Sequence, residues 1–334
     1  RGTSGRRRQL AVLILLVLLA LAGALAATPV QTQYFYVLLP LAVLGTLYAV
    51  GMWPWPQQRW GVGAVAGAAL IALLLTGRAY APGLAIVAQP DEWVPRKIHA
   101  RGELIAGLVG TDAPVLTLSP IHILEGGLPI YPAFATGPFA WRVADLVDPA
   151  TRAARHLVGP SDLETLLVEP PRALLTGLDN DDELEEAPLV AYAEENHYLP
   201  VSLPDDGTLW LSPLADWGGL VQLGAVHLPQ TALLPGEETV VTLYLQALTP
   251  MTQDFNLLVQ LVDAAGEELW RADGWPFGAP TSAWAVGDVR PDGYTVTLPA
   301  DSAPGLYKLE ASLYDPTTLD LVGAPVTAGV LRVG

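Results

Sequence analysis

The chain opens with three long apolar runs and then changes character. Residues 10–27 are an unbroken succession of Ala, Val, Leu, Ile and Gly. At the rise of an α-helix, about 18 such residues make roughly 27 Å, close to the thickness of a bilayer's hydrocarbon core. Residues 34–53 form a second run with aromatic side chains at both ends, Tyr34, Phe35 and Tyr36 at one and Trp53 at the other. Such rings suit a membrane interface because they pair an apolar body with a polar edge. Residues 60–81 form a third, with Gly63 and Gly67 spaced four apart, a spacing that lets another helix approach closely. The pattern predicts three transmembrane helices. A signal peptide would account for the first run alone, but its apolar centre exceeds the usual ~7–15 residues and two more runs follow.

Beyond residue 81 the periods shorten. Residues 82–100 read as a linker into a helix at 98–109. Short buried strands follow at 114–119, 172–176, 198–203 and 208–211, with helices at 161–168 and 187–196 between them. Strands alternating with helices predict a small α/β domain over 82–217. From 218 onward the helical period disappears. Residues 239–247, 255–262, 294–298 and 306–314 alternate apolar with polar, and Pro235-Gly236, Ala265-Gly266, Asp292-Gly293 and Pro304-Gly305 supply turns between them. Half-buried strands at this spacing predict an antiparallel β-sandwich over 218–334. The expected fold class is therefore a multi-domain membrane protein: three transmembrane α-helices within 1–81, a small α/β domain, then the sandwich.

Charge sharpens this division. The chain carries 17 Lys and Arg against 34 Asp and Glu, a net charge of −17. Residues 1–81 hold six arginines and no acidic residue; residues 82–334 hold the other 11 basic and all 34 acidic side chains, a net charge of −23. So acidic a surface excludes nucleic acid as a partner. Arg6, Arg7 and Arg8 place the start of the first span in the cytoplasm, so an odd number of spans puts residues 82–334 on the extracytoplasmic side. The expected partners are the lipid bilayer and, because the chain begins with Arg1 rather than Met, an upstream transmembrane module of the same protein.

Little chemistry is concentrated in one motif. Cysteine is absent, which removes disulfides, thiolate nucleophiles and Cys-zinc sites. The five histidines, His99, His122, His156, His197 and His227, include no pair at helical spacing, and no metal site is expected. The acidic run 179–186 lacks the glycine and closing glutamate of a calcium loop and reads as a solvated loop before a helix. Trp210, Trp217, Trp270, Trp275 and Trp284 are candidates to stack on sugar rings or to fill the sandwich. The most unusual stretch is 119–142, rich in Gly, Pro and aromatics and too irregular for a helix. A loop this long is commonly functional. Its His122, Glu125, Tyr131 and Arg142 are the candidate acceptor-contact residues.

These segments also carry a resemblance. The apolar runs followed by VLTLSPIHILEGGLPIYPAFATGPFAWRVADL, PPRALLTG, PLVAYAEENHYLP and LWL resemble the C-terminal end of bacterial membrane glycosyltransferases of the GT-C fold, of the dolichyl-phosphate-mannose–protein mannosyltransferase type. The tail PGEETVVTLYLQALTPMTQDFNLLVQLVDAAGEELWRADGWPF, with PTSAW and PGLYKLEASLYD, is similar to a β-sandwich appended to such enzymes. The resemblance implies transfer of a sugar from a polyprenyl-phosphate donor to an extracytoplasmic acceptor, with catalytic carboxylates in the first external loop. Here the loop 28–33 has no carboxylate, and the first acidic residue is Asp91. No catalytic residue is carried over, and no cofactor is expected beyond the implied donor. The favoured expectation is a C-terminal, non-catalytic portion of a glycosyltransferase on the cell membrane. The competing one is a membrane-tethered surface protein whose sandwich binds glycan or protein.

Overall fold

A computed structural model describes residues 3–26, 32–52, scattered positions between 63 and 78, and then 87–110, 113–178 and 183–334. The chain divides into two compact units, Arg1–Ala85 and Ile86–Gly334.

The first unit corrects the expectation of three transmembrane helices. Thr3–Ala26 is one continuous helix, and its segment Arg8–Ala26, 19 residues, is long and apolar enough to cross a membrane. Val12, Ile14, Leu15, Leu18 and Leu19 are all exposed on it. The second run does not wind as one helix. Thr32–Val37 is a 3₁₀ turn, and the α-helix after it, Leu38–Met52, has 15 residues. That length gives roughly 22 Å, short of a bilayer core of about 30 Å. Among the described residues the crossing candidate is thus a single helix, by length and composition. Hydropathy along the sequence counted apolar residues and could not see where the backbone changes its winding. The expected third span, 60–81, lies largely outside the described residues.

In the second unit, thirteen described strands make three sheets. Strands β1 (Val115–Thr117), β2 (Ala173–Thr176), β3 (Leu199–Ser202) and β4 (Thr208–Leu211) form the first, in the order β1-β2-β4-β3. β1 and β2 run parallel, and both β4 pairings are antiparallel. Strands β5 (Ala215–Trp217), β6 (Val221–His227), β8 (Glu238–Ala247) and β11 (Val289–Thr297) form the second, ordered β11-β8-β6-β5. Strands β7 (Ala232–Leu233), β9 (Asn256–Val262), β10 (Glu268–Gly274), β12 (Gly305–Tyr314) and β13 (Val326–Val333) form the third, ordered β10-β9-β12-β13-β7. The second and third sheets face each other across a core of Trp217, Leu223, Leu243, Leu257, Leu309 and their neighbours. This is a sandwich, antiparallel except where β13 meets β7 in parallel.

The second sheet is also covered over part of its outer face. Its outer side packs on the first sheet: Ala225, Tyr244 and Val289 join Leu199, Leu209 and Leu211 in a separate core. The device that permits this is a bulge in β6. Its pairing with β8 shifts between Leu223 and Ala225, so Leu223 faces the sandwich core while Ala225, two residues on, faces the other. The unpaired Gly224 fits because a side chain there would meet Leu199 Cδ1 at 2.7 Å. The helix Val94–Val109 fills the rest of this layer. Ile105, Leu108 and Val109 are buried in it, and Gly107 lies against the His227 imidazole.

The stretch expected to be an irregular loop, 119–142, contains two helices, Pro120–Glu125 and Pro138–Ala144, joined through a 3₁₀ turn, Pro132–Phe134. It forms part of the crossover from β1 to β2, and Phe134 and Trp141 pack at 5.5 Å between ring centroids in the outer core.

Candidate functional site

The four candidate contact residues of that stretch face different neighbours. His122 sits in the helix Pro120–Glu125, which Gly102 and Gly126 hold against Val94–Val109 by direct backbone contact; a Cβ on Gly126 would lie 2.2 Å from the Gly102 oxygen. His122 is buried, and burial together with the Arg101 guanidinium lowers its pKa. Glu125 lies at the end of the same helix and meets His99 Nδ1 at 3.4 Å on the surface. Tyr131 packs on the outer core, where burial, then Tyr192 and Glu169, raise its pKa. Arg142 donates from Nε to the Glu185 carboxylate, while Trp141 Nε1 donates to the Glu185 carbonyl at 2.9 Å. These contacts fasten the crossover to the helix Glu183–Glu195.

Other polar groups brace the fold in the same way. Arg172 donates to the Ser212 and Gly224 carbonyls, and burial pushes its guanidinium down to about 10. Tyr198 donates its hydroxyl to the Pro171 carbonyl, and burial raises its pKa. Among the described residues no group of three or more His, Asp or Glu stands close enough to hold a metal ion. Residues 179–182 of the acidic run lie outside the described residues; Glu183, Glu185 and Glu186 belong to the helix that follows.

Of the five tryptophans, Trp217 and Trp284 are buried in the sandwich core and Trp270 packs beside it. Trp275 is exposed. Trp210, on β4, is half-buried on the face of the first sheet turned away from the sandwich, and it lines a cleft of about 310 Å³ at the edge of that sheet, beside Pro200 of β3 and the β6–β8 pair. Glu194, His197, Gln222 and Gln246 also line the cleft. Gln222 and Gln246 are directly opposed across β6 and β8. Sequence reasoning missed all four, because their proximity depends on the pairing of β6 with β8 and on the stacking of the two sheets. The one local signal was Gln222 inside the otherwise apolar start of β6.

No family model matches the chain, and no curated protein matches it. Solved structures match in part. The C-terminal domain of Wzt is 17% identical over 35% of this chain and 76% of its own, with a TM-score of 0.29. Spo0M, a sporulation control protein from Bacillus subtilis, is 17% identical over 34% of this chain and 49% of its own, at 0.21. A β-glucosidase from Listeria innocua in complex with glucose is 13% identical over 34% of this chain and 16% of its own, at 0.22. Likenesses this low carry no argument about this chain.

Proposed function

We propose that this chain is the membrane-anchored, non-catalytic portion of a glycosyltransferase that moves a sugar from a polyprenyl-phosphate donor to an extracytoplasmic acceptor. What supports the reading is the fate of the polar groups in the segment that resembles such enzymes. Glycosyl transfer needs a base or a charge stabiliser beside the reacting centre. Here Arg142 pairs with Glu185, Glu125 stands on the surface 3.4 Å from His99, and His122 and Tyr131 lie against separate neighbours. The four do not converge on one reacting centre. The helix containing Arg8–Ala26 supplies the anchor.

The test compares this chain with its complete reading frame, both in nanodiscs with polyprenyl-phosphate sugars and candidate acceptors. Transfer is expected from the complete frame and not from this chain. Turnover by this chain that disappears in Glu125→Gln would overturn the non-catalytic assignment, and a complete frame without donor-dependent transfer would overturn the transferase. The extracytoplasmic placement has its own check. The chain lacks cysteine, so Thr318→Cys, on an exposed loop, should react with an impermeant maleimide on intact cells.

A further inference from the structure

We propose that the cleft at the edge of the first sheet, where Trp210 and Pro200 meet Gln222 and Gln246, binds a neutral saccharide. Its polar groups are already oriented. Gln222 is 2% exposed, and its Nε2 donates to Gln246 Oε1 at 2.5 Å and to the His197 carbonyl at 3.4 Å. Gln246 Nε2 donates in turn to the Gly287 carbonyl at 2.9 Å. An amide offers two N–H donors and one oxygen with two lone pairs. Gln222 has therefore spent both donors, and its Oε1 has no protein partner among the described residues. Gln246 has spent one donor and keeps the other. The ladder thus presents an acceptor beside a donor, held in place from both ends.

That pairing suits vicinal hydroxyls, each of which donates and accepts. It suits a phosphate monoester poorly, since its dianion only accepts, and among the described residues no Lys or Arg lines the cleft. The apolar wall suits a sugar as well. Trp210 Nε1 is satisfied by Thr176 Oγ1 at 2.9 Å, so the indole needs no other polar partner; it packs in part on the outer core, and the part that lines the cleft offers apolar ring to sugar C–H groups. Glu194, exposed at the rim, adds a carboxylate acceptor for further hydroxyls. The volume of about 310 Å³ is at the low end of small-molecule sites, which span about 300–1,000 Å³. One or two rings are accommodated rather than a long chain. This binding needs no donor lipid and stands apart from the transferase reading.

The experiment uses the full chain in amine-oxide micelles, since maltoside and glucoside detergents would compete. Neutral monosaccharides and disaccharides of glucose, galactose, mannose, rhamnose and N-acetylglucosamine are screened by saturation-transfer NMR, and hits are titrated by calorimetry. At least one neutral sugar is expected to bind. Gln246→Ala, at a half-buried position, should weaken it about tenfold, the worth of roughly one hydrogen bond. Trp210→Leu should weaken it by a similar factor or more, while Trp210→Phe should retain most of the affinity. Circular dichroism melts establish that each variant is folded. The proposal is overturned if no sugar in the panel binds the folded chain. It is also overturned if affinity is unchanged in both folded Gln246→Ala and Trp210→Leu, or if sugar phosphates bind while the neutral sugars do not.

Discussion

Arg172 donates from Nη2 to the main-chain carbonyl of Gly224 at 2.7 Å, joining the start of β2 to the bulge of β6. A second nitrogen of the same guanidinium reaches the Ser212 carbonyl. One side chain therefore satisfies acceptors on either side of the connection between the first sheet and the sandwich. Arg172→Met keeps the apolar stem and leaves those carbonyls without a donor. The expected cost is about 2–4 kcal/mol, one to two unmade buried hydrogen bonds. Urea unfolding measures it, and an unchanged midpoint would mean that water replaces the guanidinium.

Two histidines make the fold sensitive to mild acid. Burial lowers the pKa of His122, aided by Arg101, and burial lowers that of His227. The folded chain then binds fewer protons than the unfolded chain once the pH drops below the ordinary imidazole value of 6.5. Stability is fully present above that value and declines as the pH falls through it toward the lowered folded pKa values. Urea midpoints at about pH 7.5 and about pH 5 should differ, and the difference should shrink in His122→Gln and His227→Gln. Equal pH dependence in the wild type and the double variant would contradict this.

The helix pair that carries His122 tolerates no Cβ at its crossing. In Gly126→Ala the new carbon would meet the Gly102 carbonyl oxygen at 2.2 Å, a backbone atom that cannot rotate away. A loss of more than about 2 kcal/mol is expected from forced separation. Gly107→Ala meets the His227 imidazole at 2.8 Å, a side chain that can turn, and should cost less. Thermal melts of the two variants rank them, and the reverse order would refute the account.

The sandwich begins earlier than the change of sequence pattern at 218 indicates. Trp217, on β5, is 1% exposed in the sandwich core, and its Nε1 donates to the Ala324 carbonyl at 3.2 Å. A fragment starting at residue 219 loses this side chain and a strand. It should be less stable than one starting at 213 by about 3–5 kcal/mol, the usual cost of deleting a large core aromatic. Guanidinium titrations of both fragments test this; matched midpoints would exclude β5 from the folded core.

Strands with one wet face were legible in the sequence. β8 alternates cleanly, with Thr239, Val241, Leu243, Leu245 and Ala247 buried, and the same holds for β9. β6 was not legible, since five consecutive residues, Val221–Ala225, are buried and no alternation survives. β10 failed for the opposite reason: it is an edge strand on which no residue is fully buried. The crossover helices were hidden by their prolines. Pro120, Pro138 and Pro149 each open a helix, where the missing N–H is not needed, yet as composition they read as loop. The candidate cleft needed the register Gln222 opposite Gln246, which no local pattern encodes.

The doubly covered second sheet has an evolutionary consequence. A sandwich with a polar outer face can be cut from one gene and appended to another as a finished part. This one wears Ala225, Tyr244 and Val289 on the outside, against Leu199, Leu209 and Leu211. Transplanted alone, it would present an apolar surface in search of a new cover, and the donor protein would be left with an opened core. The two halves of Ile86–Gly334 therefore share one apolar boundary, and a substitution on either side of it is felt on the other.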